Sequence, residues 1–415
     1  MQHNSLVKSL VLTGVCAAAA WTTAVAAAPC PPVLCIDACE PPLPPPGSCS
    51  APPAGALQGF GAVTTGGAGG EICTVTTLAD SGTGSLRQCA VSRTAQSGGF
   101  VPRTVRFNVA GTIRLLTDLR IDTPFMTIDG SSAPSPGITI RKASPEDGEV
   151  RINTSATSAG HDLIITHLRF DGEWDGSQNT SNTSSTINLD GEDNPGGVYR
   201  IVLDHLTLVN ASDSSPDMWG EVNDVTISWS LIYDSFHPMT ISHSGGTMAR
   251  HRISLHHNVF ARNHERNPQI RGNVRDLDYV NNIVYDWTTF AGSGYGIRVR
   301  DVAGVFPTDM NFVNNFFLSN DRPEWALVYG DAPGDGNYPG GIYAAGNVFP
   351  ASISTTGLST RTTPVPIPSA AAVTTSTAAE LTDSVIDGVG MQYRDATESA
   401  LLQQLKSAMQ QRLGQ

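Results

Sequence analysis

Four asparagines, Asn258, Asn282, Asn315 and Asn347, constrain this chain more than any other feature. Each precedes a pair of apolar residues, in "HHNVF", "NNIVY", "NNFFL" and "AGNVF", and they recur at intervals of 24, 33 and 32 residues. Around them run short segments rich in β-branched and aromatic residues, "RISLHHNVFARN", "LDYVNNIVYDW" and "MNFVNNFFLSN". Strand-type alternation dominates there and helical periodicity is scarce. A repeat built of short strands without a helix cannot bury a hydrophobic face alone, so successive units must stack into a solenoid. The pattern predicts an all-β chain folded as a parallel β-helix. Asparagines at equivalent turns would then stack along the axis and hydrogen-bond backbone groups that a tight bend leaves unpaired. A β-sandwich also spaces strands and turns regularly, but gives no reason for asparagines matched in register.

The segments "HDLIITHLRFDG", "YRIVLDHLTLVN" and "NDVTISWSLIYDS" extend the same texture upstream, and the solenoid is assigned to residues 58–350. Before it, residues 1–28 carry one lysine, an apolar run and small residues suited to an A-x-A cleavage site, which reads as a secretory signal. Residues 29–57 form a Pro/Cys-rich leader. Of the seven cysteines, Cys16 would leave with the signal, and the six that remain all lie before residue 90. An even count in an exported chain favours disulfides over a metal cluster. After residue 350 a Ser/Thr/Ala-rich strap leads to "ATESALLQQLKSAMQQRL", whose leucine spacing is helical.

Charge points to the kind of ligand. The formal net charge is −13, yet six arginines (250, 252, 262, 266, 271 and 275) crowd one stretch that holds a single acid, Glu265. A local positive stripe on an acidic chain suits capture of an anion, because a cleft focuses charge over a short range. Nucleic acid does not fit the overall sign, and no basic tail or base-stacking motif is present. In "NHERNPQIRG" the guanidiniums of Arg266 and Arg271 flank a proline, and a planar fork matches a carboxylate. Upstream, "NASDSSPDMWG" puts Asp213 and Asp217 on a loop, where oxygen ligands suit a hard cation such as calcium. The pairs Asp204–His205 and His256–His257 look catalytic, but adjacent strand residues face opposite ways, so at most one of each can line a cleft. Trp174, Trp219 and Trp287 are candidates for sugar stacking or for core anchoring.

Taken in order, "GFGAVTTGGAGG", "CTVTTLADSGTGSLRQC", "PRTVRFNVAGTI", "MTIDGSSAPSPGITI", "IVLDHLTL", "NDVTISWSLI", "ISLHHNVFARNHERNPQIRG" and "YVNNIVYDW" resemble the pectate lyases of polysaccharide lyase family 1. The resemblance covers about residues 58–350. It implies a right-handed parallel β-helix, secreted, that cleaves de-esterified polygalacturonate by calcium-assisted β-elimination. Arg266 then matches the family's catalytic arginine, Arg271 its substrate-binding arginine, and Asp213 and Asp217 two calcium ligands. This sequence departs at two places. Ser185 stands where the family has a further aspartate, leaving Asp190 or Asp193 to substitute, and no lysine lies in the central segment, leaving His237 and His243 as substrate-binding candidates. The expected working unit is a monomer acting on an acidic polysaccharide, without nucleic acid or membrane. Two rivals remain: a non-catalytic uronan-binding or adhesin β-helix, and a glycoside hydrolase. The latter needs paired carboxyl groups, and the chain has no adjacent Asp-Asp pair.

Overall fold

The computed structural model describes residues 56–414, apart from 92, 94–98, 145–146, 156, 175, 177–184, 193–195, 242–249, 272–273, 288–293, 301–307, 330–340 and 351–358. The expected signal, most of the leader, Cys30, Cys35, Cys39, Cys49, Asp193 and His243 lie outside the described residues.

The strands wind into a right-handed parallel β-helix of three sheets, a first of ten strands and a second and third of eight each. One coil runs through Val222–Ser228 in the first sheet, Leu231–Tyr233 in the second and Thr240–Ile241 in the third. Short strands suffice because each pairs with the coil above and the coil below. In the third sheet Ile121, Ile152, Leu189, Met218, Ile241, Ile270 and Val299 form one register-matched column, each no more than 1% exposed. Burying each such side chain stabilises the fold by roughly 1.5–3 kcal/mol relative to leaving it in water. Their chain neighbours face the other way. That alternation decides which side chains reach solvent.

The asparagines stack as the repeat predicts. The backbone N–H of Asn258 donates to Asn282 Oδ1 at 3.1 Å, that of Asn282 to Asn315 Oδ1 at 2.9 Å, and that of Asn315 to Asn347 Oδ1 at 2.9 Å. Each Nδ2 also donates to a carbonyl of the preceding coil: Asn282 to Leu255, Asn315 to Tyr279 and Asn347 to Phe312. Both ends of each amide are therefore used, and the ladder satisfies backbone groups that would otherwise be buried unpaired. A serine takes over where it ends, with Ser230 N–H donating to Asn258 Oδ1 at 3.0 Å.

Among the described residues, cover is seen over the outer faces of the first and second sheets. Across the first sheet, Phe60 and Gly61 donate to Ser254 and Thr226, and Val365 and Ser376 donate to Asn311 and Asn281. Against the second sheet lies the helix Ala396–Leu413, whose Leu401, Leu402, Leu405 and Met409 pack with Val209, Tyr233, Val259, Ile283 and Phe316. Asp395 caps this helix, and Glu398, fully buried, receives Arg169 at 2.7 Å. The helix thus lies along the side of the solenoid. A disulfide, Cys73–Cys89, ties the strand Glu71–Val75 to the short helix Leu86–Val91.

Candidate active site

The third sheet keeps charged side chains at its surface. Asp217 opens the strand Asp217–Gly220 and pairs with Asn188 on one side and with Thr240, then Gln269, on the other. Two residues further along their strands come Asp190, Trp219, Arg271 and Arg300, with Asp190 opposite Trp219 and Arg271 opposite Arg300. Neighbouring strands are about 4.8 Å apart. Asp217, Asp190, Trp219 and Arg271 thus share one outward face, acidic toward one end and basic toward the other.

Just ahead of these strands, the loops bring Asp213 and Arg266 together. Arg266 Nη1 donates to Asp213 Oδ1 at 3.1 Å, with Ser214 Oγ at 3.5 Å and Thr240 Oγ1 at 3.4 Å beside it. Arg266 holds a left-handed backbone with φ 62°, a conformation uncommon for a residue with a side chain and a pointer to local constraint. His237 is wedged between two carboxylates, with Nε2 3.1 Å from Glu265 and Nδ1 3.5 Å from Asp213. Burial raises the Asp213 carboxyl, but the nearby His237 ring and the charge of Arg266 outweigh it and hold the group below its ordinary value. The same balance, led by burial and reversed by His237 and Arg266, lowers Glu265. Arg271 is pushed below its ordinary value by burial and then by the positive charges of Arg300, Arg266 and Arg298. An anion bound there would relieve that crowding.

Of the residues expected from sequence, Asp213, Asp217, Arg266 and Arg271 converge on this face and its rim. Asp190 is on it too, 3.9 Å from Arg151. His237, with 7% exposure, has Nε2 3.1 Å from Glu265, while its Nδ1 lies 3.5 Å from Asp213 without a hydrogen bond. Ser185 is 5% exposed and spends its backbone on Lys142 and Glu149, accepting from Lys142 Nζ at 3.0 Å and donating to Glu149 at 3.2 Å. Lys142 is buried in that brace and Lys406 pairs with Asp383 and Asp387 on the C-terminal segment. Neither can serve a ligand on the third sheet.

Three kinds of residue escaped the sequence reading. Arg298 and Arg300 extend the basic end, and only coil register could have shown it. Glu265 was counted as a stray acid but joins the Arg266 network. Asn188 and Asn153 stand in register beside Asp217 and Asp190, and the Oδ1 of each is buried with no hydrogen-bond partner. Orphaned buried carbonyl oxygens are rare. Among the described residues, no three acidic, histidine or cysteine side chains close on a point where a metal could sit, so Asp190, Asp213 and Asp217 are not a preformed cage. The oxygens gathered here, carboxylates plus amide carbonyls, are nonetheless the hard donors calcium takes, and the residues fit that ion with part of its shell left open.

The discounted candidates are structural. Asp204 binds His205 and Ser228 at 2.6 Å each, and His205 stacks between His167 and Trp229 in the turn joining the first and second sheets. Trp287 is 1% exposed and donates to the Arg322 carbonyl. Trp174 packs on Phe236, next to His237 at the rim of the third sheet.

Similarity to known proteins agrees with the β-helix fold. Over 264 residues, 63% of its length, the chain is 31% identical to a protein named probable pectate lyase C from Aspergillus fumigatus, and it matches the namesake from Aspergillus flavus to the same extent. Its fold superposes on jun a 1, the major allergen of cedar pollen, with a TM-score of 0.62 and 18% identity over 81% of this chain and 93% of that one. The sequence similarity is to proteins that carry the name pectate lyase. A pectate lyase from a Bacillus species, solved in complex with trigalacturonate, shares the fold with a TM-score of 0.55 and 18% identity, covering 81% of this chain and 98% of that one. Pectate lyase C from Erwinia chrysanthemi, solved with calcium at pH 9.5, gives 0.52 at 17% identity, covering 83% and 99%. No family model matches the chain. With 53% of each Aspergillus protein covered, the chain spans about half the length of the curated relatives it matches.

Proposed function

We propose that this chain is a secreted pectate lyase that cleaves de-esterified homogalacturonan by β-elimination. The observation that carries the reading is the Arg266–Asp213 contact of 3.1 Å on the rim of a face where Arg271 is crowded by like charge. In this reading Arg271, with Arg298 and Arg300 beside it, holds uronate carboxylates, which a planar guanidinium grips in two-point fashion. Arg266, positioned beside Asp213, takes the proton from C5 of the reacting galacturonate when its side chain is in the neutral guanidine form. The C–H electron pair becomes the second bond of C4=C5, the bond from C4 to the glycosidic oxygen breaks, the departing oxygen takes a proton from water, and the hydroxide left behind takes the C5 proton back from Arg266. A guanidinium is an unusual base because it normally stays protonated, so turnover should rise into the alkaline range.

Asp217, Asp213 and the amide oxygen of Asn188 are the groups that would hold calcium, with Asp190 and Asn153 flanking them. Bound together with a uronate oxygen, that ion would supply positive charge that acidifies the C5 proton. His237 acts through Asp213 and Glu265, keeping the loop carboxylate charged and aimed. Export by the segment 1–28 agrees with the Cys73–Cys89 disulfide, which forms in oxidising compartments. Among the described residues no helix is long and apolar enough to cross a membrane. The protein is expected to work as a monomer.

The test is the ultraviolet absorbance of an unsaturated uronate when polygalacturonate is added at neutral and alkaline pH, with and without a chelator. Absorbance that grows and is abolished in Arg266→Ala supports the lyase, and its loss with chelator supports the calcium ligands. Binding of polygalacturonate without any new absorbance at either pH removes the enzyme reading in favour of a uronan-binding protein.

A further inference from the structure

We propose that Trp219 is a sugar-stacking platform on the outer face of the third sheet, engaging a ring other than the one that reacts; this rests on the lyase reading above. Trp219 is the third residue of the strand Asp217–Gly220, where Met218 and Gly220 are buried and Asp217 and Trp219 are not. Alternation therefore puts the indole on the outer face, beside Asp217 along the strand and opposite Asp190 on the next one. Arg271 occupies the equivalent position two strands away in the other direction, on the order of 10 Å by strand spacing. A half-exposed indole among carboxylates and guanidiniums gains little from water, whereas core aromatics of this chain such as Trp287 are buried.

The backbone presenting it is fixed. Gly220 has φ +67°, and a Cβ there would lie 2.5 Å from the backbone nitrogen of Glu192 and 2.6 Å from the carbonyl carbon of Gly191, which pairs with Gly220. Only glycine permits both the left-handed conformation and that approach. The indole is thus held at a set height above the sheet, as a binding surface requires.

The chemistry selects the ligand. In a galacto-configured pyranose the axial O4 leaves the hydrogens on C3, C4 and C5 on one face, an apolar patch that matches an aromatic ring, whereas a gluco-configured ring divides its hydrogens between both faces. The reacting ring cannot be the stacked one, since its C5 hydrogen must face the base. Trp219 therefore reads a different galacturonate along the same strand of polysaccharide and selects for ring configuration, while the arginines select for carboxylate.

The experiment uses the full-length protein carrying Arg266→Ala, so that trigalacturonate binds without being consumed, with an oligoglucuronate of equal length as the control. Adding trigalacturonate should shift tryptophan emission in this background. Adding Trp219→Phe should abolish the emission change while leaving the calorimetric Kd within about threefold, and Trp219→Ala should weaken trigalacturonate by about tenfold, the scale of one aromatic contact. The weak binding of oligoglucuronate should be the same in all three. In the otherwise native enzyme, Trp219→Ala should raise KM and spare kcat. An emission change that survives in Trp219→Phe, or equal loss of both sugars in Trp219→Ala, overturns the proposal. The outcomes separate the two claims: weakened binding in Trp219→Ala with no unsaturated product from native enzyme sinks the lyase and leaves the platform, and the reverse sinks only the platform.

Discussion

Two edges of the solenoid follow opposite rules. Along the turn after the first sheet, the same side chain recurs in Asn258, Asn282, Asn315 and Asn347, and each amide serves the next. Along the outer face of the third sheet the equivalent position changes at every coil, from Asn188 to Asp217, Thr240, Gln269 and Arg298. Identical groups stack well only when each can both donate and accept, as an amide does. Charged groups cannot be repeated without repulsion, and burial first and then the neighbouring Arg300, Arg266 and Arg298 push Arg271 below its ordinary value. Repetition therefore supports the fold, and its interruption marks the face that differs from coil to coil.

The comparison breaks most directly at Arg266. Arg266→Ala should reduce kcat by about a thousandfold or more, the loss typical of removing a group that acts on the transition state. Its ion pair is about a quarter exposed, so stability should change by less than about 1 kcal/mol. Activity assays beside a thermal melt decide it, and a melting temperature that collapses with the activity would make Arg266 structural.

The ladder should answer with the opposite phenotype. Asn282→Ala removes the acceptor for Asn258 N–H and the donor to the Leu255 carbonyl, both buried. Leaving such groups unpaired costs roughly 1–3 kcal/mol each, so a total near about 3 kcal/mol is expected from denaturant unfolding, with kcat/KM per folded molecule unchanged. A milder probe of the site is Arg271→Lys, which keeps the charge and loses the two-point fork. It should raise KM about thirtyfold, a penalty near about 2 kcal/mol, and an unchanged KM would take Arg271 out of substrate binding.

This contrast also explains what the sequence made legible. A repeated asparagine shows in a linear text, so the β-helix and the ladder could be read from four residues. Arg266, Arg271, Asp213 and Asp217 were legible through motif resemblance and loop composition. Arg298, Asn188 and Asn153 were not, because insertions of unequal length between coils hide which residues share a row, and register exists only once strands pair. A linear reading also cannot show that His237 lies beside Asp213 and Glu265. The C-terminal helix showed its apolar leucines but not the sheet they cover, since Val209, Tyr233 and Phe316 come from separate coils.

The smallest expected effect lies on the covered first sheet, where one coil breaks the rule without a ligand to justify it. Asp278 is 5% exposed and stacks beside Asn311, whose Nδ2 donates to it at 3.1 Å. Burial raises its carboxyl from 3.8 to about 6, and the hydrogen bond from Asn311 only partly opposes this. A folded-state value above the unfolded one means the acid form is the one the fold prefers. Its contribution to stability is complete below pH 3.8 and is lost as the pH rises through about 6. Above that, the protein carries a buried charge that an amide would not. Asp278→Asn should therefore stabilise the protein by about 1 kcal/mol at pH 8, less than the full shift because the new amide hydrogens need partners of their own. The gain should shrink toward zero near pH 4, as measured by denaturant midpoints across the range. A gain independent of pH would mean that Asp278 is neutral throughout.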